Sequence, residues 1–237
     1  FHAHYHIRMS WAKVFSAMGH QVELWHKDEK PAFDAFDEFE PDLFMGQTYN
    51  ITEALCKCIK QRPHMKVVMR ASDWGHMQTG IDLEKYPILV AQEEEKKLLE
   101  KLKKETGRPD FVHNHYHDNW IKVTHNKWKD IGIKPISLIH GADIFDFYIQ
   151  PPVESLKCDI GFVGGYWPYK AINLDKYLVS LCHPVGDYNI KIFGGSDWPV
   201  VQYMGRIDSK NVGALFSSAT ISPNISEPHS QDFGYDI

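Results

Sequence analysis

Three stretches carry residues whose types and spacing suit chemistry. In GFVGGYWPYK (161–170) an apolar run delivers Gly164 and Gly165, with Lys170 close behind. Paired glycines let backbone N–H groups approach a phosphate closely, and a lysine there supplies the neutralising cation. The spacing is not that of a Walker loop, because GxxxxGK[ST] is absent. The plainer alternative is a tight strand-to-helix turn. The second stretch is SEPHSQDFGYD, with Glu227, Asp232, Phe233, Gly234 and Tyr235. A carboxylate there can accept hydrogen bonds from two hydroxyls of a ribose, and a helix opening at Phe233-Gly234 would aim its N–H groups at phosphates. The alternative is a polar capping loop with Ser230 or Asp232 as N-cap. The third is the run His113, His115, His117, echoed by His2, His4 and His6 at the start of the chain. In an extended segment alternate residues share a face, so either triplet can be read as a zinc site completed by a carboxylate such as Asp118. Against that reading, neither HExxH nor CxxC occurs. Asp73, in RASDWG, follows another apolar run and suits either a general base or a helix N-cap.

The elements that must position these groups follow from periodicity. Met9, Trp11, Ala12, Phe15 and Met18 give a helix ending at Gly19, followed by a strand from Val22 to Trp25. Further strands are expected at Pro41–Gly46, Met65–Arg70, Asp110–His113 and Pro135–Ile139. Helices lie between them at 50–60, 91–105 and 118–130, the last with Trp120, Ile121, Thr124 and Trp128 inward. The acidic-then-basic run AQEEEKKLLEKLKKE reads as a solvated helix whose charges match its macrodipole. Alternating strands and helices predict right-handed βαβ units and parallel sheets.

Pro151-Pro152 is the clearest linker signal, since neither residue donates to a ladder and both hold the chain extended. It predicts a first domain over 1–150 and a second over 151–237. In the second, strands are expected at Cys158–Val163, Ile190–Phe193, Val200–Tyr203 and Ala219–Ser222. A helix at 172–183 and another presenting Val212, Leu215 and Phe216 on one face complete this half, with a turn at Gly205-Arg206. Gly194-Gly195 ends the Ile190–Phe193 run. In open α/β sheets ligands bind at such carboxyl ends of strands.

Composition narrows the class. The chain has 237 residues and a net charge of −5 with the charges interspersed, so no basic face marks a nucleic-acid binder. No stretch of about 18 apolar residues suggests a spanning helix. Four scattered cysteines read as reduced, buried thiols of a cytoplasmic protein. His20, His26, His64, His76, His125, His140, His183 and His229 read as surface or satisfied core residues.

The collinear order of strand, GG, short strand, GR, helix, strand and S-x-E-x(n)-FG resembles the second domain of GT-B glycosyltransferases, in particular the family-1-like group that includes spore-maturation CgeB-type proteins. The opening RM-x-W-A-x(5)-GH-x-V is similar to the helix and second strand of their first domain, and HNHYHDNW to their H-x-H-D-W stretch. The resemblance implies two Rossmann-like domains, here without the first strand and incomplete at the far end. It also implies a nucleotide-sugar donor, no required metal or other cofactor, and transfer of a sugar to an acceptor the sequence does not specify. It places Gly164, Gly165, Lys170, Gly194, Arg206, Glu227, Asp232, Phe233, Gly234 and Tyr235 at the donor, His115 against the sugar and Asp73 as a base if configuration inverts. Gln231 stands where the family often carries a Glu, with Glu227 four residues earlier. The rival readings are a His-coordinated metal hydrolase and a non-catalytic sugar-nucleotide scaffold. Many such transferases act on lipid-linked acceptors, so peripheral membrane attachment through a basic patch stays open.

Overall fold

A computed structural model describes residues 3–70, 89–115, 117–119, 121, 125–138, 143–226 and 228. The chain is mixed α/β, with every paired strand parallel. It divides into two compact units, Phe1–Gly141 and Ala142–Ile237.

The first unit opens with α1 (Ala3–Ala17) and α2 (Ala32–Phe39) and then builds a four-stranded sheet. Its strands are β1 (Leu43–Gln47), β2 (Lys66–Arg70), β3 (Phe111–Asn114) and β4 (Lys134–Ser137), lying side by side in chain order. The crossovers contain α3 (Glu53–Gln61), α4 (Leu89–Thr106) and a 3₁₀ segment, Asn126–Ile131. A parallel neighbour requires such a crossover, and helices placed there bury the sheet. α3 shows why the local sequence folds: Thr52 Oγ1 accepts the Leu55 N–H at 3.2 Å, capping the first turn. Leu55, Cys56, Cys58 and Ile59 then form a buried stripe. That stripe meets Val67 and Met69 of β2, Val112 of β3, and Leu99 and Leu102 of α4 in one core. Each large apolar side chain so buried contributes about 1.5–3 kcal/mol relative to exposure.

Strand alternation then divides the sheet. Val67, Met69 and Val112 face this core, so Val68, Arg70, Phe111 and His113 face the other way. On that second face lies α1, with the Trp11 ring 5.2 Å from the His113 ring.

Several elements differ from expectation. Val22–Trp25 is not a strand: no described strand lies along it, so it has no ladder, and Trp25 instead packs on Phe36 and Phe44 while its indole N–H donates to the Lys30 carbonyl. In the region 118–130 the described residues 118, 119 and 121 are helical, with the Ile121 N–H donating to the His117 carbonyl and the His125 N–H to the Ile121 carbonyl, whereas Asn126–Ile131 is 3₁₀ rather than α-helical. Ile121 and Trp128 are buried as expected. Met18 is 67 % exposed rather than inward, because α1 stops one residue before it.

The second unit holds a three-stranded sheet in the order β6-β5-β7, from β5 (Cys158–Val163), β6 (Ile190–Phe193) and β7 (Ala219–Ile221). α5 (Pro168–Tyr177) connects β5 to β6, and α6 (Val212–Ser218) precedes β7. α5 begins four residues earlier than periodicity indicated, because Pro168 takes the first helical position, where a missing N–H costs nothing. Val200–Tyr203 is a turn with a single bridge from Tyr203 to Ile192 rather than a strand. In α6 Leu215 is fully buried whereas Phe216 is 41 % exposed and lies 6.0 Å from the Phe147 ring. The chain around Pro151-Pro152 is fastened to α6: the Gln150 N–H donates to Ser217 Oγ and the Val153 N–H to Ser218 Oγ.

Candidate functional site

In each unit the chemistry-bearing residues gather at the carboxyl edge of the sheet. In the first unit Gln47 and Arg70 end β1 and β2, His113 is the next-to-last residue of β3, and the registers pair Gln47 with Arg70 and Arg70 with His113. The three therefore form a row across neighbouring strands, which lie about 4.8 Å apart. All three lie on the face turned away from the main core. α1 crosses this row with Ile7, Arg8 and Trp11, residues that one helical face brings together. The result is a cavity of about 40 Å³ whose polar wall is Arg8, Gln47, Arg70, His113 and His115. Its apolar wall is Ile7, Trp11 and Met45, and Gly46 completes it.

In this wall Arg8 Nη2 and Gln47 Oε1 are buried without a hydrogen-bond partner. Gln47 as a whole is only 6 % exposed. A buried, unsatisfied polar group costs about 1–3 kcal/mol, and such groups in folded proteins commonly mark a functional site. No carboxylate lines the cavity among the described residues.

Of this cavity's residues the sequence pointed to His115, as a sugar contact or a metal ligand, and to His113 in the metal reading alone. Arg8, Gln47 and Arg70 were not anticipated, because nothing in their local sequence reveals that one register joins them. The His113–His115–His117 triplet does not act as an extended unit. β3 ends at Asn114, His115 sits in a bend, and His117 opens a helical turn, accepting the Asn119 N–H on Nδ1 at 3.3 Å. His4 and His6 lie within α1, where residues two apart do not share a face as they would in a strand. Among the described residues no group of three His, Cys, Asp or Glu is placed to hold a metal ion. Asp73 lies outside the described residues.

At the second sheet's carboxyl edge the glycines meet. The Gly164 N–H donates to the Phe193 carbonyl at 2.9 Å and the Gly194 N–H to the Gly205 carbonyl at 3.0 Å. A Cβ on Gly194 would lie 2.1 Å from the Gly164 carbonyl oxygen, so these two turns touch backbone to backbone. Trp198 Nε1 donates to the Gly164 carbonyl, Tyr203 Oη to the Gly194 carbonyl, and the Tyr166 N–H to Ser196 Oγ. Gly205 has φ +84, a left-handed conformation that turns the chain into Arg206, which is exposed.

Lys170 lies in the first turn of α5 rather than in the preceding loop. Its Nζ is 5.1 Å from the Trp167 ring centroid and 6.0 Å from that of Phe162, a geometry that holds the ammonium beside the Gly165 turn. The N-cap of α5 is Trp167, whose indole can donate but not accept, so its side chain caps no N–H. The structure therefore brings Gly164, Gly165, Gly194, Arg206 and Lys170 to one edge. Glu227, Asp232, Phe233, Gly234 and Tyr235 lie outside the described residues. The chain leading to them is placed by Asn173 of α5, whose Nδ2 donates to the Ser226 carbonyl at 2.8 Å.

No helix among the described residues is long and apolar enough to cross a membrane. No known family model matches the chain, and no curated protein sequence matches it.

Proposed function

We propose that the chain is a GT-B-type glycosyltransferase that moves a sugar from a nucleotide-sugar donor held by the second unit to an acceptor held by the first. The observation that carries this reading is the convergence of the Gly164, Gly194 and Gly205 turns at one sheet edge, with Lys170 in the first turn of the adjoining helix. Amides in the first turn of a helix have no intrahelical acceptor, and those of α5 receive none from the Trp167 side chain. With the Lys170 ammonium beside them they suit a diphosphate. Arg206, one residue beyond the Gly205 turn, adds a second cation. Catalysis on this reading consists of positioning and of stabilising the charge that develops on the departing nucleoside diphosphate. Ser226 is tied to α5, and on this reading Glu227, the next residue in the sequence, accepts the ribose hydroxyls. No metal is required for these roles.

The test is a thermal-shift screen with UDP, GDP, ADP, CMP and their sugars, followed by a donor-hydrolysis assay. One nucleotide class is expected to raise the melting temperature, because a ligand that binds only the native state stabilises it. Lys170→Met should weaken that binding about 10- to 100-fold, the range for losing a charge-assisted contact. A flat screen across all four bases would overturn the reading. Binding without donor turnover would assign a scaffold instead of an enzyme.

A further inference from the structure

We infer that the cavity over the first sheet binds a compact oxyanion, a phosphate or a carboxylate, on a small molecule that carries a hydroxyl next to it. Four observations converge. First, two guanidinium side chains, Arg8 from α1 and Arg70 from β2, share the wall of one small cavity. Arginine remains charged at any physiological pH, and two like charges around a confined space favour an anion between them. Second, Arg8 Nη2 is buried there without a partner, a donor still to be satisfied. Third, Gln47 Oε1 is an acceptor without a partner on a residue 94 % removed from solvent, and an acceptor calls for an O–H or N–H on the ligand rather than for more negative charge. Fourth, His113 and His115 add imidazoles to the same wall.

The volume sets the size of the occupant. About 40 Å³ is far below the roughly 300–1,000 Å³ of pockets that enclose a drug-sized ligand, so the cavity takes a head group and not a nucleotide. Guanidinium forks match phosphate and carboxylate oxygens alike, so the shared chemistry is an oxyanion with a neighbouring hydroxyl. The inference deepens the transferase reading, since it makes the acceptor an anionic hydroxyl compound such as a sugar phosphate or hydroxy acid. The binding itself rests on the first unit alone.

The experiment is a thermal-shift and equilibrium-binding series on the full chain, with glycerol 3-phosphate and glucose 6-phosphate as one arm and lactate and glucuronate as the other. Glycerol, glucose and chloride at matched ionic strength are the controls. One anionic arm is expected to bind, and which arm responds distinguishes phosphate from carboxylate. Arg8→Gln should weaken that binding about 10- to 100-fold. Gln47→Leu should weaken the hydroxyl-bearing ligand about 3- to 10-fold and leave inorganic phosphate or acetate unchanged, a difference that a merely structural role for Gln47 would not produce. Equal shifts with chloride or glycerol, or anion binding unaltered in both variants, would overturn the inference. If Arg8→Gln fails to fold, Gln47→Leu carries the test. Failure of the transferase reading is separable: a nucleotide shift weakened by Lys170→Met but kept in Arg8→Gln belongs to the second unit, and an oxyanion shift weakened by Arg8→Gln but kept in Lys170→Met belongs to this cavity.

Discussion

Gly194 and Gly195 are adjacent and chemically identical, yet their surroundings differ as much as two positions can. A methyl group on Gly194 would fall 2.1 Å from a backbone oxygen, whereas one on Gly195 would meet nothing within 4 Å. Gly194→Ala should therefore destabilise by at least about 1–3 kcal/mol, the usual cost of forced overpacking, because the obstructing atom belongs to the main chain and cannot rotate away. Gly195→Ala should stay within about 0.5–1 kcal/mol of the parent. Urea unfolding of both variants checks this, and equal losses would show that the two turns do not touch as described. Only part of this was readable beforehand. The pair GG marked the end of the Ile190–Phe193 strand, but which glycine meets another turn depends on the path of the Gly164 turn, which lies 30 residues away in sequence.

At the scale of elements α3 and α4 of the first core were legible from their residue patterns, whereas α2, whose Ala32, Ala35 and Phe36 join the same core, was not anticipated. α3 is the clearest case, with its Thr52 cap and its stripe of Leu55, Cys56, Cys58 and Ile59. Thr52→Ala should cost about 0.5–2 kcal/mol through the lost cap, and Leu55→Ala about 2–5 kcal/mol through lost burial and the cavity it leaves. Chemical denaturation followed by circular dichroism would measure both; a Leu55→Ala loss no larger than that of Thr52→Ala would contradict the placement of Leu55 in the core. Where propensity and environment disagreed, environment prevailed. Val22–Trp25 has the composition of a strand, yet a strand exists only through its neighbours' hydrogen bonds, and no described strand runs beside it. Val200–Tyr203 was limited in the same way to one bridge. Conversely, Pro168 extended α5 backwards and brought Lys170 into its first turn.

At the scale of the whole molecule, each unit has its own buried core, and each holds two of the four thiols. Cys56, Cys58, Cys158 and Cys182 are all buried, and burial is the main cause that raises each thiol above its ordinary pKa of 9.0. Such thiols stay protonated and unreactive near neutrality. A thiol reagent at pH 8 should modify none of them in the native protein within minutes and all four in denaturant. Rapid native labelling would show that at least one thiol is accessible. The sign of the linkage also follows. Because the folded values are raised, the stability these groups contribute is present in full below pH 9.0 and is lost as pH rises through the raised values, since the unfolded chain ionises first. The urea midpoint should accordingly fall above about pH 9.

The amino-acid sequence by itself determined the α/β class, the parallel sense of the sheets, the positions of most strands and helices, and the clustering of polar residues past strand ends. All of these are local or periodic properties, written within a few turns of chain. Only the tertiary structure decided that Gln47, Arg70 and His113 stand in one row beneath Arg8, and that Gly164 and Gly194 touch. Those relations depend on strand register and on which face a helix covers, and both are settled by packing between residues far apart in the chain, where no local pattern records them.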